Sequence, residues 1–192
     1  MNENLVQEFR QKYETLAGSV HLVDSATEAA EKALSILRGA VAQRVALGEL
    51  PEDFQQPLEQ RCAKAGLDVL MWPFNSAELP QALDSVQAGV SWAAFAIAET
   101  GSLVEFTTDD AVRLVSALPR VHVGVFRAED LLETLEEAAP RIRNFYAKNP
   151  RNATVSFISG PSRTGDIEMR LTLGVHGPAE THAVVITSDK RT

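Results

Sequence analysis

Apolar stretches with the character of strands alternate along this chain with amphipathic stretches of helical spacing, and no other feature limits its possible folds so strongly. The amino terminus, MNENLVQEFRQKYETLAG, is polar and amphipathic. Ser25 and Glu28 then stand at capping-box spacing, and Ala30, Leu34, Leu37, Val41 and Val45 follow at intervals of three or four, which predicts one long helix as far as Gly48. The polar, proline-containing stretch 48–57 reads as a long loop, and a second helix is expected over 58–65, stopped by Gly66. Residues 67–72 read as a buried strand ahead of Pro73, and 78–86 as another helix.

Farther along, 92–98 is apolar and rich in small residues, Glu99-Thr100-Gly101 supplies a turn, and 103–106 resumes an extended pattern. Residues 121–126 read as a strand and 129–138 as a helix striped by Leu132 and Leu135, broken or kinked at Pro140. Residues 154–158 and 182–187 supply two more strands. The alternation predicts an α/β fold of three layers, a mostly parallel sheet with helices on both faces. Ligands of such sheets collect outside the carboxyl ends of the strands, so the turns that follow strands carry the functional question.

A chain of 192 residues, 45% of them apolar, is long enough for one substantial core and short for two, so residues 1–192 are expected to form a single unit whose first fifty residues are a helical part. A net charge of −8 opposes binding to phosphate backbones or anionic membranes, which argues against nucleic acid as a partner. The amino terminus lacks the basic start and apolar core of a secretory signal, and no apolar run approaches spanning length, so a cytoplasmic protein without membrane insertion is expected. Cys62 is the single cysteine, which precludes an intrachain disulfide and the usual four-thiolate iron–sulfur site within one chain.

The densest polar motif is Ser159-Gly160-Pro161-Ser162-Arg163-Thr164-Gly165-Asp166-Ile167-Glu168. Its glycine permits close backbone approach, its hydroxyls and the Arg163 guanidinium suit an anion, and a helix starting near Asp166 would add unpaired N–H groups. An ordinary strand-to-helix turn with a capping hydroxyl would look the same. The motif is neither GxGxxG nor a Walker sequence, so neither a dinucleotide nor ATP is implied. Glu99, after an apolar run and before Thr100-Gly101, is the candidate acid, base or nucleophile; equally, it suits a carboxylate that accepts backbone hydrogen bonds in a tight turn. His176, between Gly174 and Gly177-Pro178, can change charge near neutral pH or serve as a structural hydrogen-bonding group. His122, inside an apolar strand, reads as a satisfied core residue.

Metal chemistry finds little support, since His176 and His182 match neither HExxH nor a paired-cysteine site. Ser162 follows Pro161 without a GxSxG elbow, which argues against a serine hydrolase.

Three ordered motifs, GVSWAAFAIAETGSLVEF, VRLVSALPRVHVGVF and FISGPSRTGDIEMRLTLGVHGPAETHAVVIT, span most of residues 89–187, and here the chain closely resembles the lactate utilization protein C family of LUD domain proteins. The resemblance implies the fold shared by phosphosugar isomerases and coenzyme A transferases, the NagB/RpiA/CoA transferase-like arrangement. It also implies an accessory role in the conversion of lactate to pyruvate, beside subunits that hold the iron–sulfur clusters, with no cofactor on this chain alone and a small anionic metabolite as a possible ligand. An independent transferase or isomerase of phosphorylated or coenzyme A-linked substrates, or a metabolite sensor, are the alternatives. The family-like positions are Glu99, Thr100 and Gly101; Arg113, Leu118, Pro119 and His122; and Ser159, Gly160, Pro161, Ser162, Arg163, Thr164, Asp166, Glu168, Gly174, His176, Gly177 and Pro178. One departure stands out: where the family commonly carries an acid shortly before the Glu-Thr-Gly turn, this chain has Ala94.

Overall fold

The computed structural model describes residues 2–75, 79, 81–165 and 172–188. In chain order the elements are α1 (Glu3–Thr15), β1 (Ser19–Val23), α2 (Ala26–Gly39), β2 (Arg44–Leu47), α3 (Glu52–Lys64), β3 (Asp68–Met71), α4 (Gln81–Asp84), β4 (Ala88–Trp92), β5 (Phe95–Ile97), β6 (Ser102–Thr107) and α5 (Asp110–Ala117). They continue with β7 (Val121–Arg127), β8 (Leu131–Leu132), α6 (Leu135–Lys148), β9 (Thr154–Ile158), β10 (Arg163–Thr164), β11 (Thr172–Leu173) and β12 (Glu180–Ile186). Six of the strands form one parallel sheet in the order β1-β12-β7-β4-β2-β3.

Strand periodicity divides the side chains of this sheet between two cores. Val90, Val123, Val125, Val184 and Ile186 face α2 and α3, whose Ala29, Ala33, Leu37, Phe54, Leu58 and Cys62 are fully buried against them. Phe126, Ala183 and Val185 face the other way, onto Val6, Phe9 and Tyr13 of α1 and Leu103 of β6. Phe9 meets Phe126 edge to face at 5.3 Å, and each such fully buried aromatic or aliphatic side chain contributes about 1.5–3 kcal/mol. With both faces covered, every residue of β7 is buried, which is why its sequence is a near-continuous apolar run. The three-layer α/β architecture expected from the alternation is the architecture found.

A second, four-stranded sheet in the order β8-β5-β6-β9 was not foreseen. The apolar run 92–98 changes sheets midway: Ala93 donates its N–H to Val125 O in the parallel sheet, and Ala94 donates to Val104 O in the other. Residues 154–158 form a strand as expected, but β9 pairs antiparallel with β6 and leaves the parallel sheet to other strands. Helix α6 closes the outer side of this sheet, with Phe106 and Phe145 stacked at 4.3 Å.

Several local expectations are corrected. The helix from Ser25 ends at Gly39, and Val45 belongs to strand β2. Its terminus is a Schellman turn, with Ala42 N–H on Leu37 O and Val41 N–H on Arg38 O, but the left-handed position is held by Val41 (φ 53°), not the usual glycine. A β-branched residue there hides the stop signal. The first fifty residues are accordingly two helices and two strands, not a helical part alone. The loop expected over 48–57 is short, because α3 starts at Glu52 with Pro51 at its N-cap and accommodates Pro57; Phe54, Leu58 and Cys62 line its buried face at intervals of four. Strand β3 is an edge strand and only partly buried. Of the helix expected over 78–86, the described residues show the single turn α4. The helix expected over 129–138 begins only at Leu135, capped by Thr134, and runs through Pro140 to Lys148. Of the two stripe residues, Leu135 stays in the helix, while Leu132 joins Leu131 in extending the second sheet beside Ala96 and Ile97.

Candidate functional site

Two cavities sit at opposite ends of the parallel strands. The first, of about 350 Å³, lies at the amino end of β7 and β12, between α5, β9 and the segments that flank β10 and β11. It gathers many of the residues singled out in the sequence: Arg113, Ser159, Gly160, Ser162, His176 and Gly177 all line it. Local hydrogen bonds explain how distant segments meet there. Ser162 N–H donates to Pro178 O at 2.8 Å and Gly174 N–H donates to Ser162 O at 2.9 Å, which ties the loop after β9 to the loop before β12. Ala179 N–H then anchors that second loop on Arg120 O. Gly174 holds φ 72°, and a Cβ on Gly177 would lie 3.1 Å from Ser162 Cβ, so the close approach of the two loops depends on both glycines.

The lining is cationic and rich in hydroxyls. Arg113 projects from α5, half exposed, with Nε 3.3 Å from Asp110. Ser116, Ser156 and Thr181 also line the cavity, and no local motif marks any of the three. Thr181 is 2% exposed, with its hydroxyl against the phenol of Tyr13. An arginine with several convergent hydroxyls suits a small anion.

Other candidates lie elsewhere. Glu99 is exposed in the β5–β6 turn, and its Oε2 accepts the N–H of Leu135 at 2.9 Å, at the amino terminus of α6. Thr100 Oγ1 lies 2.8 Å from Ser102 Oγ, which lies 2.7 Å from Ser159 Oγ, so a run of hydroxyls links the Glu-Thr-Gly turn to the cavity rim. Gly101, at φ 60°, backs onto α1, where a Cβ would come within 2.7 Å of Tyr13 N. Arg163 donates through Nη2 to the carbonyl oxygen of Leu16 and is exposed in β10 beside Thr164; Pro161 is buried. Asp166 and Glu168, with the helix expected near them, lie outside the described residues.

The second cavity, of about 380 Å³, opens where the chain order of the sheet reverses, at the carboxyl ends of β2 and β4. This is the place the parallel-sheet rule singles out. Its walls include Glu49, Ser91, Trp92, Ala94, Glu105 and Phe106. None was a sequence candidate for catalysis or binding, although a lone charge in the apolar stretch Leu103-Val104-Glu105-Phe106 was the available signal.

Glu105 is 5% exposed and stands between the two cavities. Its Oε1 accepts the hydroxyl of Ser91, a wall of the second cavity, and its Oε2 accepts that of Ser116 at 2.8 Å, a wall of the first. Ser91 Oγ also lies 2.7 Å from Nε2 of His122, which is fully buried. Since the serine proton goes to Glu105, His122 donates from Nε2, and its Nδ1 is left as an acceptor without a partner. His122 is therefore a core residue satisfied on one side only. Room for its ring comes from Gly124, where a Cβ would stand 3.3 Å from His122 Cε1.

A six-stranded parallel sheet with helices on one face and a helix-and-sheet layer on the other defines a three-layer α/β protein. Within that class the chain belongs to the LUD domain family, whose model matches residues 6–186. It is similar to lactate utilization protein C of Geobacillus thermodenitrificans (strain NG80-2), 30% identical over 177 residues, which cover 84% of this chain and 73% of that protein. It is likewise 31% identical over 108 residues to lactate utilization protein C of Bacillus subtilis (strain 168), covering 56% of this chain and 45% of that one. The Shouchella clausii (strain KSM-K16) protein of the same name is 34% identical over 98 residues, 51% and 43% of the two chains. In fold the chain resembles a DUF162 family protein of Deinococcus radiodurans known from a crystal structure, with a TM-score of 0.69 and 22% identity over 97% of this chain and 98% of that one.

Proposed function

We propose that this protein serves lactate utilization as an accessory component, binding a small organic anion in the cavity at the amino end of β12 and working in the cytoplasm beside iron–sulfur subunits that oxidise L-lactate to pyruvate. The observation that carries the reading is the convergence of Arg113, His176 and the hydroxyls of Ser159 and Ser162 on one cavity. The names of the relatives supply the metabolic setting. Electron transfer falls to a partner because Cys62, the one thiol in the sequence, is buried within α3, and burial raises its pKa to about 11, which keeps it protonated and a poor cluster ligand.

Two measurements test the reading. Calorimetric titration of the purified protein should detect L-lactate or pyruvate, and Arg113→Ala should weaken that binding about tenfold through loss of a charged donor. Unchanged affinity in the variant would remove the cavity from the proposal. Anaerobic affinity capture from lactate-grown cells, followed by iron analysis and a lactate-to-acceptor assay, should recover cysteine-rich subunits with lactate-oxidising activity. Recovery of the protein alone, free of iron and inactive with lactate, would rule out the accessory role.

A further inference from the structure

The second cavity has no part in the anion reading, and its hydrogen-bonding capacity is the reverse of the first. Among the described residues its walls carry two carboxylates, Glu49 and Glu105, and no lysine or arginine. Glu49 is exposed, whereas Glu105 lies deep with 6% of its side chain still open. A carboxylate can only accept, at about four lone-pair positions. Glu105 uses one on the hydroxyl of Ser91 and one on that of Ser116, so each of its oxygens can accept again. Ser91 has given its proton to Glu105 and takes one from His122, so its oxygen too has only accepting capacity left. Apart from the indole N–H of Trp92, the polar side chains of this cavity therefore offer acceptors and no donor. Leu50, Val112, Ala94, Trp92 and Phe106 make the rest of the wall apolar and aromatic.

An apolar space of about 380 Å³ with a few convergent polar atoms has the build of a small-molecule site, and it opens where ligands of parallel sheets collect. Acceptors joined to negative charge call for a group that carries positive charge and donates several hydrogen bonds at once. We infer that the second cavity binds a primary amine in its ammonium form, the ammonium directed at Glu105 and Ser91 and a short apolar body lying against Trp92 and Phe106. A neutral alcohol of the same shape brings one donor and no charge, and an organic acid meets two like charges, so the cavity separates amines from both. Arg127 leaves these carboxylates uncompensated: its guanidinium lies over the Trp92 ring, 5.7 Å from the centroid, but it pairs with Asp53 and does not line the cavity.

The test titrates butylammonium and, as its neutral counterpart, butanol into the native protein by calorimetry. Butylammonium should saturate with a dissociation constant on the order of 1 mM, at least about tenfold tighter than butanol. Glu105→Gln, which keeps the shape and removes the charge, and Ala94→Leu, which fills the cavity without changing a charge, should each weaken butylammonium about tenfold. Arg113→Ala, at the first cavity, should leave it unaltered. Absence of saturation, equal binding of butanol, affinity that survives in both cavity variants, or an equal loss in Arg113→Ala overturns the inference. None of these results touches the anion reading, whose probes are L-lactate and pyruvate. Should Glu105→Gln not fold, the native comparison and Ala94→Leu decide.

Discussion

The two cavities are carved into opposite ends of the parallel sheet, and their chemistry is opposed. At the amino end the walls offer an arginine, a histidine and hydroxyls; at the carboxyl end they offer the carboxylates of Glu49 and Glu105 beside the aromatic faces of Trp92 and Phe106. Parallel-sheet geometry favours the carboxyl end as a ligand site, yet the polar motifs of this sequence converge on the amino end. The lesson is that topology names a place where a site is easy to build, while side chains decide where one is built. Glu105 sharpens the point, since one buried carboxylate holds a serine from each cavity and so makes the two ends one structure.

That shared wall is the first thing to break. Glu105→Ala should strand Ser91, Ser116 and His122 without their acceptor and lower stability by about 3 kcal/mol, read from urea unfolding. Glu105→Gln, which keeps an acceptor oxygen, should lose less. A loss below about 1 kcal/mol in the alanine variant would mean that the cavities are independent.

A second test separates the cavities from the sheet edge beside them. His182 of β12 stacks on His21 of β1 with Nδ1 3.2 Å from Nε2 of its neighbour, and burial, then the charges of His21 and His122, lower its pKa to about 4. His21 is lowered too, by burial and then by Lys32 and Arg10, while Glu14 opposes the shift. The unfolded chain therefore binds protons that the folded one refuses, so stability is full above pH 6.5 and falls as the pH drops toward 4. The urea midpoint should decline across that window, and His182→Gln should flatten the decline. A native midpoint that rises on acidification would contradict the lowered values.

The smallest effect belongs to Glu99. Removing its charge with Glu99→Gln should weaken the amino terminus of α6 by about 0.5–1 kcal/mol and leave binding of organic acids at the first cavity unaltered. A clear loss of L-lactate affinity would return Glu99 to the binding apparatus and blur the distinction between the regions.

The legibility of the molecule in its sequence follows the same division. Strands buried on both faces, such as β7 and β12, announce themselves as apolar runs, and the loop motifs around Ser159 and His176 show as glycine-rich polar clusters. What was hidden depends on pairing. The second sheet takes β5 and β6 from a run that reads as one interrupted strand, and the end of α2 carries valine where glycine would have signalled it. Thr181 and Ser116 looked like routine polar residues because nothing local shows that β12 and α5 meet at one cavity. Glu105 was visible as a charge in an apolar strand, but its importance rests on Ser91, Ser116 and His122, each from a different element.

The pairing of β1 with β12 has a consequence for how the chain reaches this state. The Thr187 N–H closes onto the carbonyl of Val23 across 164 positions, and the edge strand β1 is held to the sheet by the union of its earliest and latest strands. During synthesis β1 must wait beside its unpaired neighbours until nearly all of the described chain has been made, leaving a growing polypeptide with one vacant seam. High contact order of this kind slows folding and prolongs exposure of apolar edges. The intermediate most vulnerable to aggregation is therefore the one that lacks β12, and a chaperone that shields the β1 edge should raise the yield more than one that shields the β3 edge, which needs only its sequence neighbour β2.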